Sequence, residues 1–336
     1  VLSLGGVNIS AATGSPMTDA AEVPVPEGYC ELDYLKLYAF LEMADADGVK
    51  NGTKLNENYD PTDPTTWGTT NEEGESTITW LEVTTGEGED EVTLQYLLTF
   101  NAPASDLCGQ LDLSGCKFLR EVYVQNNTLT QVDVSESAIQ QLDCSGNRLT
   151  ELNASGCGFL MNLVCGNNQL TALELANCRR LATVDCSGNQ LTALNLSATN
   201  ALLTLNCKNN RLSTLTFNSM SYPIHVDCSG NQLTELNTDT MQFTRYLDCS
   251  DNQLTRLNVR NCSVVETFSC QGNKLERLDL TSDGKYHALS LNAIGEGYVG
   301  YAMEQKEDGA TTYTVVATPV EGSVFQGWYT NRNCTT

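Results

Sequence analysis

From about Asn127 to Leu275 the apolar positions recur in a block of 21 residues. Three successive copies read Leu142-Asp-Cys-Ser-Gly-Asn-Arg-Leu149, Leu163-Val-Cys-Gly-Asn-Asn-Gln-Leu170 and Val184-Asp-Cys-Ser-Gly-Asn-Gln-Leu191. Asn147, Asn168, Asn189, Asn210, Asn231, Asn252 and Asn273 follow one another at intervals of 21, and Asn127 precedes Asn147 by 20. Within a block, Leu142 and Cys144, then Leu152 and Ala154, alternate with a period of two, which predicts two short extended segments with one face inward. A unit this small cannot bury its apolar face alone. The units must therefore stack, and equivalent columns of neighbouring units then lie about 4.8 Å apart, the spacing of paired strands. The first segment predicts a parallel strand ladder, and the second a rougher ladder on the following side. At the turn after the strand, inward-pointing backbone groups need partners, and a buried carboxamide offers both a donor and an acceptor. The Asn column is read as core for that reason.

Flanking segments break the pattern. Residues 1–29 are rich in Gly, Ala, Pro, Ser and Thr and predict a loosely ordered arm. Residues 30–106 read as an N-terminal cap, with a helix over 31–44, a loop, and a hairpin over 76–100 whose strands flank an acidic, Gly-containing turn. Such a cap covers the apolar end and open strand edge that the first repeat would otherwise expose. The solenoid runs over 107–294. Residues 295–336 form a small β-rich module, either a cap or the start of a further repeat. Asp45-Ala-Asp-Gly-Val-Lys-Asn-Gly52 resembles a calcium loop in composition, but Lys50 and Asn56 occupy the places where an EF-hand needs Gly and Glu, so the stretch reads as a turn.

The repeats resemble leucine-rich repeats, in a short variant reading LDCSxNxLTxLxLS that is similar to repeats of secreted or surface proteins of gut and oral bacteria and distantly like the internalins. The resemblance covers Leu107 to Leu291. It implies a leucine-rich-repeat solenoid, an α/β-class horseshoe that is predominantly β, and a scaffold for recognition with no particular partner. Thr312 to Tyr329 is similar to the small β-rich repeats of Listeria–Bacteroides-type surface proteins, which implies an extracellular stalk or spacer.

Composition narrows the function classes. The chain carries 42 Asp and Glu against 18 Lys and Arg, a formal net charge of −24. Residues 1–100 hold 19 acidic residues and three lysines, a net −16. A surface this acidic repels nucleic acid and anionic membranes. No apolar stretch approaches the roughly 18 residues of a membrane-spanning helix. A start at Val1 and an end at Cys334-Thr-Thr read as a piece of a longer exported chain.

Fourteen cysteines would ordinarily predict a disulfide framework. Here Cys144, Cys165, Cys186, Cys207, Cys228, Cys249 and Cys270 fill one inward column, and Cys116, Cys157, Cys178 and Cys262 fill a second at a corner. Thiols in one parallel column point the same way, which is poor geometry for a disulfide. They read as small, reduced core residues. Only Cys30, Cys108 and Cys334 lie outside the two columns.

Alternation places three polar columns on the concave face. They include Tyr123, Asp143, Asp185, His225, Asp227, Tyr246 and Asp248, the candidate ligand-binding residues. Exposed Tyr is a common interface anchor. Asp227 and Asp248 are column neighbours about 5 Å apart, a like-charge pair that invites a compensating cation. Neither His225 nor His287 sits in a catalytic motif, no phosphate-cradling Gly loop is present, and no metal or cofactor set is recognisable. The expectation is a non-catalytic, exported recognition protein without cofactor, binding an extracellular host or microbial protein. A glycan ligand stacked on Tyr123 or Tyr246 is the alternative, and a structural spacer is the third.

Overall fold

The computed structural model describes residues 23–70, 74–175, 177–218, 223–259, 262, 265–275, 277–279, 290–292, 297–305 and 311–323. The 1–29 arm therefore lies mostly outside the described residues, as do Cys334 and the Phe325-Gln-Gly-Trp-Tyr329 part of the C-terminal signature.

Its centre is a leucine-rich-repeat solenoid. Three-residue strands Glu121–Tyr123, Gln141–Asp143, Asn162–Val164, Thr183–Asp185, Thr204–Asn206, His225–Asp227, Tyr246–Asp248 and Thr267–Ser269 pair in parallel, in sequence order, with equivalent positions in register. The middle residue of each strand points inward, and Val122, Leu142, Leu163, Val184, Leu205, Val226 and Leu247 are all buried. The second segment pairs more loosely. Cys108–Asp112, Thr128–Asp133 and Glu151–Asn153 form one small parallel sheet, and Ala193–Leu196 with Thr214–Phe217 form another.

Asparagines stitch the repeats together. The Asn189 carboxamide accepts from Leu170 N–H (3.0 Å) and donates to the carbonyls of Cys165 (3.0 Å) and Cys186 (3.1 Å), so one side chain joins two turns. The same three bonds recur at Asn147, Asn168, Asn210, Asn231, Asn252 and Asn273. The position just before each Asn is left-handed, with φ +59 at Asn126, +64 at Gly146, +55 at Asn167, +63 at Gly188, +55 at Asn209, +63 at Gly230, +52 at Asp251 and +69 at Gly272. Only Gly, Asn and Asp adopt that conformation cheaply. Their strict alternation has a steric cause: a Cβ on Gly188 would meet Asn167 Oδ1 at 2.7 Å, and one on Gly230 would meet Asn209 Oδ1 at 2.6 Å.

No disulfide forms among the described residues, and the ladder thiols are buried. Cys30 and Cys108 are half-buried free thiols. The corner cysteines do more than fill space. Cys157 Sγ donates to Val134 O (3.0 Å) and Cys178 Sγ to Ala154 O (3.2 Å), while Thr199 in the same column donates its hydroxyl to Leu196 O (2.8 Å).

At the N-terminal end, helix Glu31–Leu41 buries Tyr34, Leu37, Phe40 and Leu41 against the hairpin Ile78–Thr85 and Val92–Asn101 and against Trp67. It stops three residues short of the 31–44 read from sequence. Met43 O accepts from Asn51 N–H instead (2.8 Å), and Asn51 opens a second short helix, Asn51–Leu55, where the sequence suggests only a turn. Asn51 is fully buried and explains the change: its amide donates to Phe40 O (3.0 Å) and Cys108 O (2.9 Å) and accepts from Cys108 N–H (3.0 Å), stapling helix to first repeat. In the calcium-like loop, Asp45 caps Asp47 and Val49 N–H groups (3.0 Å each) and pairs with Lys54 Nζ (2.8 Å), so its carboxylate is already neutralised. Hairpin strand Val92–Asn101 pairs in parallel with Glu121–Tyr123, carrying the sheet into the cap.

At the other end the ladder reverses. Gly297–Gln305 pairs antiparallel with Thr267–Ser269 and then with Thr311–Pro319, and it buries Val299 and Tyr301 over Phe268. Among the described residues no helix is long and apolar enough to cross a membrane.

Candidate functional site

The outward columns of the parallel ladder form a continuous strip. In the first column, Glu121, Gln141, Asn162, Thr183, Thr204, His225, Tyr246 and Thr267 pair in sequence. Two residues along each strand, Tyr123, Asp143, Val164, Asp185, Asn206, Asp227, Asp248 and Ser269 do the same.

The ladder divides the seven candidate residues into two groups. Tyr123 and Asp143 are register partners near one end, and Tyr123 donates its hydroxyl to Gln141 Oε1 (3.2 Å). His225, Asp227, Tyr246 and Asp248 share two adjacent strands near the other end, with Asp185 two strands before Asp227. Six strand spacings, about 29 Å, separate Tyr123 from Tyr246. No single small ligand joins the two tyrosines.

Within the second group the His225 and Tyr246 rings stack, with centroids 4.1 Å apart and planes 4° from parallel. Each ring therefore spends one face on the other. Half-burial lowers the His225 pKa, Lys208 adds to the effect and Asp227 opposes it, so the imidazole is neutral near pH 7. Burial, reinforced by Asp248 and Asp227, pushes the Tyr246 phenol up to about 12.

The aspartates are not free solvating groups. Asp143, Asp185, Asp227 and Asp248 each accept from both the N–H (2.9–3.1 Å) and the hydroxyl (2.6–2.7 Å) of the serine two residues on, which fixes the chain as it leaves the strand. Their second oxygens differ. Asp185 Oδ2 accepts from Asn206 Nδ2 (2.9 Å), and Asp227 Oδ2 lies 3.7 Å from Lys208 Nζ. The Asp227–Asp248 pair is thus relieved on one side by Lys208, and among the described residues no group of three metal-ligating side chains gathers.

Two parts of this surface escape a reading of the sequence. Asp-x-Ser coupling is present in the repeated Asp-Cys-Ser triplet, yet by spacing alone it looks like polar filler. The position just before each strand looks variable, although Met161, Ala182, Leu203 and Ile224 occupy it in succession. Met161, Leu203 and Ile224 are exposed there, beside Phe159 and Phe243.

The fold and its outward polar strip define a leucine-rich-repeat solenoid. No protein-family model matches the chain, and no curated protein matches it. Among solved structures, the functional domain of InlJ from Listeria monocytogenes, described as including a cysteine ladder, is similar at 24% identity and a TM-score of 0.39, covering 56% of this chain and 48% of that one. YopM, a leucine-rich effector protein from Yersinia pestis, is similar at 19% identity and a TM-score of 0.38, covering 52% of this chain and 57% of that one. The chain spans about half the length of these two, and the likeness concerns the fold alone.

Proposed function

We propose that this chain is a non-catalytic recognition protein, exported or displayed at a bacterial surface, which binds an extracellular host or microbial protein through the concave ladder. The observation that carries the reading is the register-locked strip itself. Its strands are fixed by backbone pairing and its aspartates by their serines, so little freedom is lost on association. The stacking of His225 on Tyr246 takes one of the two faces of each ring and so halves the area Tyr246 offers a sugar.

The test is a binding screen of the chain against extracellular proteins and a glycan array. It runs beside Tyr123→Ala, Tyr246→Ala and Asp248→Asn, each checked for an unchanged circular dichroism spectrum. A protein hit weakened by Tyr246→Ala or Asp248→Asn is expected. A hit indifferent to all three variants would move the site off the ladder. A glycan hit abolished by one tyrosine alone would replace the protein reading.

A further inference from the structure

Single exposed apolar side chains are normal on a soluble protein, and only their grouping is informative. Among the described residues eight large apolar side chains are exposed, and five of them, Phe159, Met161, Leu203, Ile224 and Phe243, fall within the repeats. All five lie on one rim, in the position immediately before the strands or two residues earlier. Nothing in the repeat requires this. The inward Leu and Cys columns supply the core, and the opposite rim carries polar residues such as Thr150, Glu151, Thr192 and Glu235.

The rim is rigid. Met161 O accepts from both Ala182 N–H (2.9 Å) and Thr183 N–H (3.1 Å), Ala182 O from Leu203 and Thr204 N–H (2.9 and 3.0 Å), and Leu203 O from Ile224 and His225 N–H (2.8 and 3.1 Å). From Met161 to Ile224 the stripe runs three repeats, about 14 Å. Beyond Ile224 the position turns charged, and Arg245 pairs with Glu266 (3.3 Å). The aspartate column lies three residues along the strand, roughly 10 Å from the stripe. Asp143 beside the Met161 end and Asp248 beside the Ile224 end each have Oδ1 engaged by a serine, and among the described residues no Lys or Arg lies within ion-pair distance of either. Of the two, Asp248 alone carries an aromatic ring, Tyr246, on its own strand.

We propose that this rim, Met161–Leu203–Ile224, is the apolar half of a protein-docking surface, and that Asp248 against the Tyr246 ring receives a basic side chain of the same partner. The Phe159 ring, by contrast, is already covered by Arg180 at 5.1 Å. The proposal rests on the concave-face reading and extends it to residues outside that face. Its occupant is a protein segment bearing large apolar side chains and, within about 10 Å of them, Lys or Arg. Charge selects that occupant over the others. A second copy of this chain brings another net charge of −24, and an anionic lipid surface is repelled in the same way.

The experiment pans a phage library of random dodecapeptides on the full chain and measures one synthetic enriched peptide against variants. Expected is a consensus of Lys or Arg near Leu, Ile, Phe, Met or Trp, with affinity lowered at least roughly tenfold both by Leu203→Ser with Ile224→Ser and by Asp248→Asn. All three positions are at the surface, and unchanged circular dichroism confirms intact folding. Peptides that are acidic or lack apolar residues overturn the proposal, as does a library without consensus. Binding indifferent to the rim pair but lost in Tyr246→Ala or Asp248→Asn removes the rim and leaves the concave-face reading standing. Indifference to every variant removes both. A dimer in sedimentation analysis that dissociates in the rim variant assigns the stripe to a second copy and overturns the proposal.

Discussion

Removing the Asn189 carboxamide would strand Leu170 N–H in a place water does not reach and would take one of two donors from each of the Cys165 and Cys186 carbonyls, which keep Asn168 and Asn210. A buried group left unpaired costs about 1–3 kcal/mol and each further hydrogen bond lost about 0.5–1.5 kcal/mol, so Asn189→Ala is expected to lower stability by about 2–4 kcal/mol in urea unfolding. Asp248 makes a sharper pair of variants. In Asp248→Asn the side-chain oxygen still caps Ser250, and stability should stay within about 0.5 kcal/mol, whereas Asp248→Ala should lose about 1–2 kcal/mol. Equal losses in the two variants would show that charge, not the cap, holds that corner. The Asn column is legible in the sequence because it obeys the 21-residue period and a buried amide has few other uses. The Gly/Asn alternation beside it is not. It repeats every second unit, and its cause is a close approach of Asn167 to Gly188 across repeats, which no single repeat contains.

Elements are legible to the extent that periodicity specifies them. The strand ladder follows from alternation and spacing alone. Asn51 is not legible, since its value lies in reaching from the cap to Cys108, 57 residues away. The exposed rim is hidden because variable positions in a repeat look like noise until stacking aligns them. The strand Gly297–Gln305 also works at long range, covering the edge of Thr267–Ser269 and laying Tyr301 over Phe268. A chain ended before Gly297 would expose that strand edge together with an apolar repeat end. Light scattering is expected to show concentration-dependent association of the truncated chain, while the full chain stays dispersed.

Over the whole molecule the thiol ladder has one collective effect. Burial, as the first cause at every site, raises the pKa of Cys144, Cys165, Cys186, Cys207, Cys228, Cys249 and Cys270, with Cys186 and Cys270 pushed up to about 12. The folded state therefore holds these protons more tightly than the unfolded chain does. Stability is full below the ordinary thiol range near pH 8.5 and is lost as pH rises toward 12. Each thiol contributes on the order of 1.4 kcal/mol per pH unit in that window, so seven together cost on the order of 10 kcal/mol by about pH 9.5, comparable with the whole stability of a typical domain. Unfolding followed by circular dichroism is expected between about pH 9 and 10.5, and Cys207→Val should move the midpoint upward. A transition unmoved by replacing ladder thiols would assign the alkaline limit to other groups.

Each ladder asparagine reaches backwards. Asn147 accepts from Leu129, Asn168 from Leu149, Asn210 from Leu191 and Asn252 from Leu233, always a residue made 18 or 19 positions earlier. The lock for every turn is thus synthesised after the turn itself. On the ribosome the most recent unit waits open until its successor emerges, so the nascent chain grows behind a travelling unlatched segment of fixed length. Chains arrested between Leu191 and Asn210 should remain open to protease at Leu191 and become protected there once Asn210 has cleared the exit tunnel.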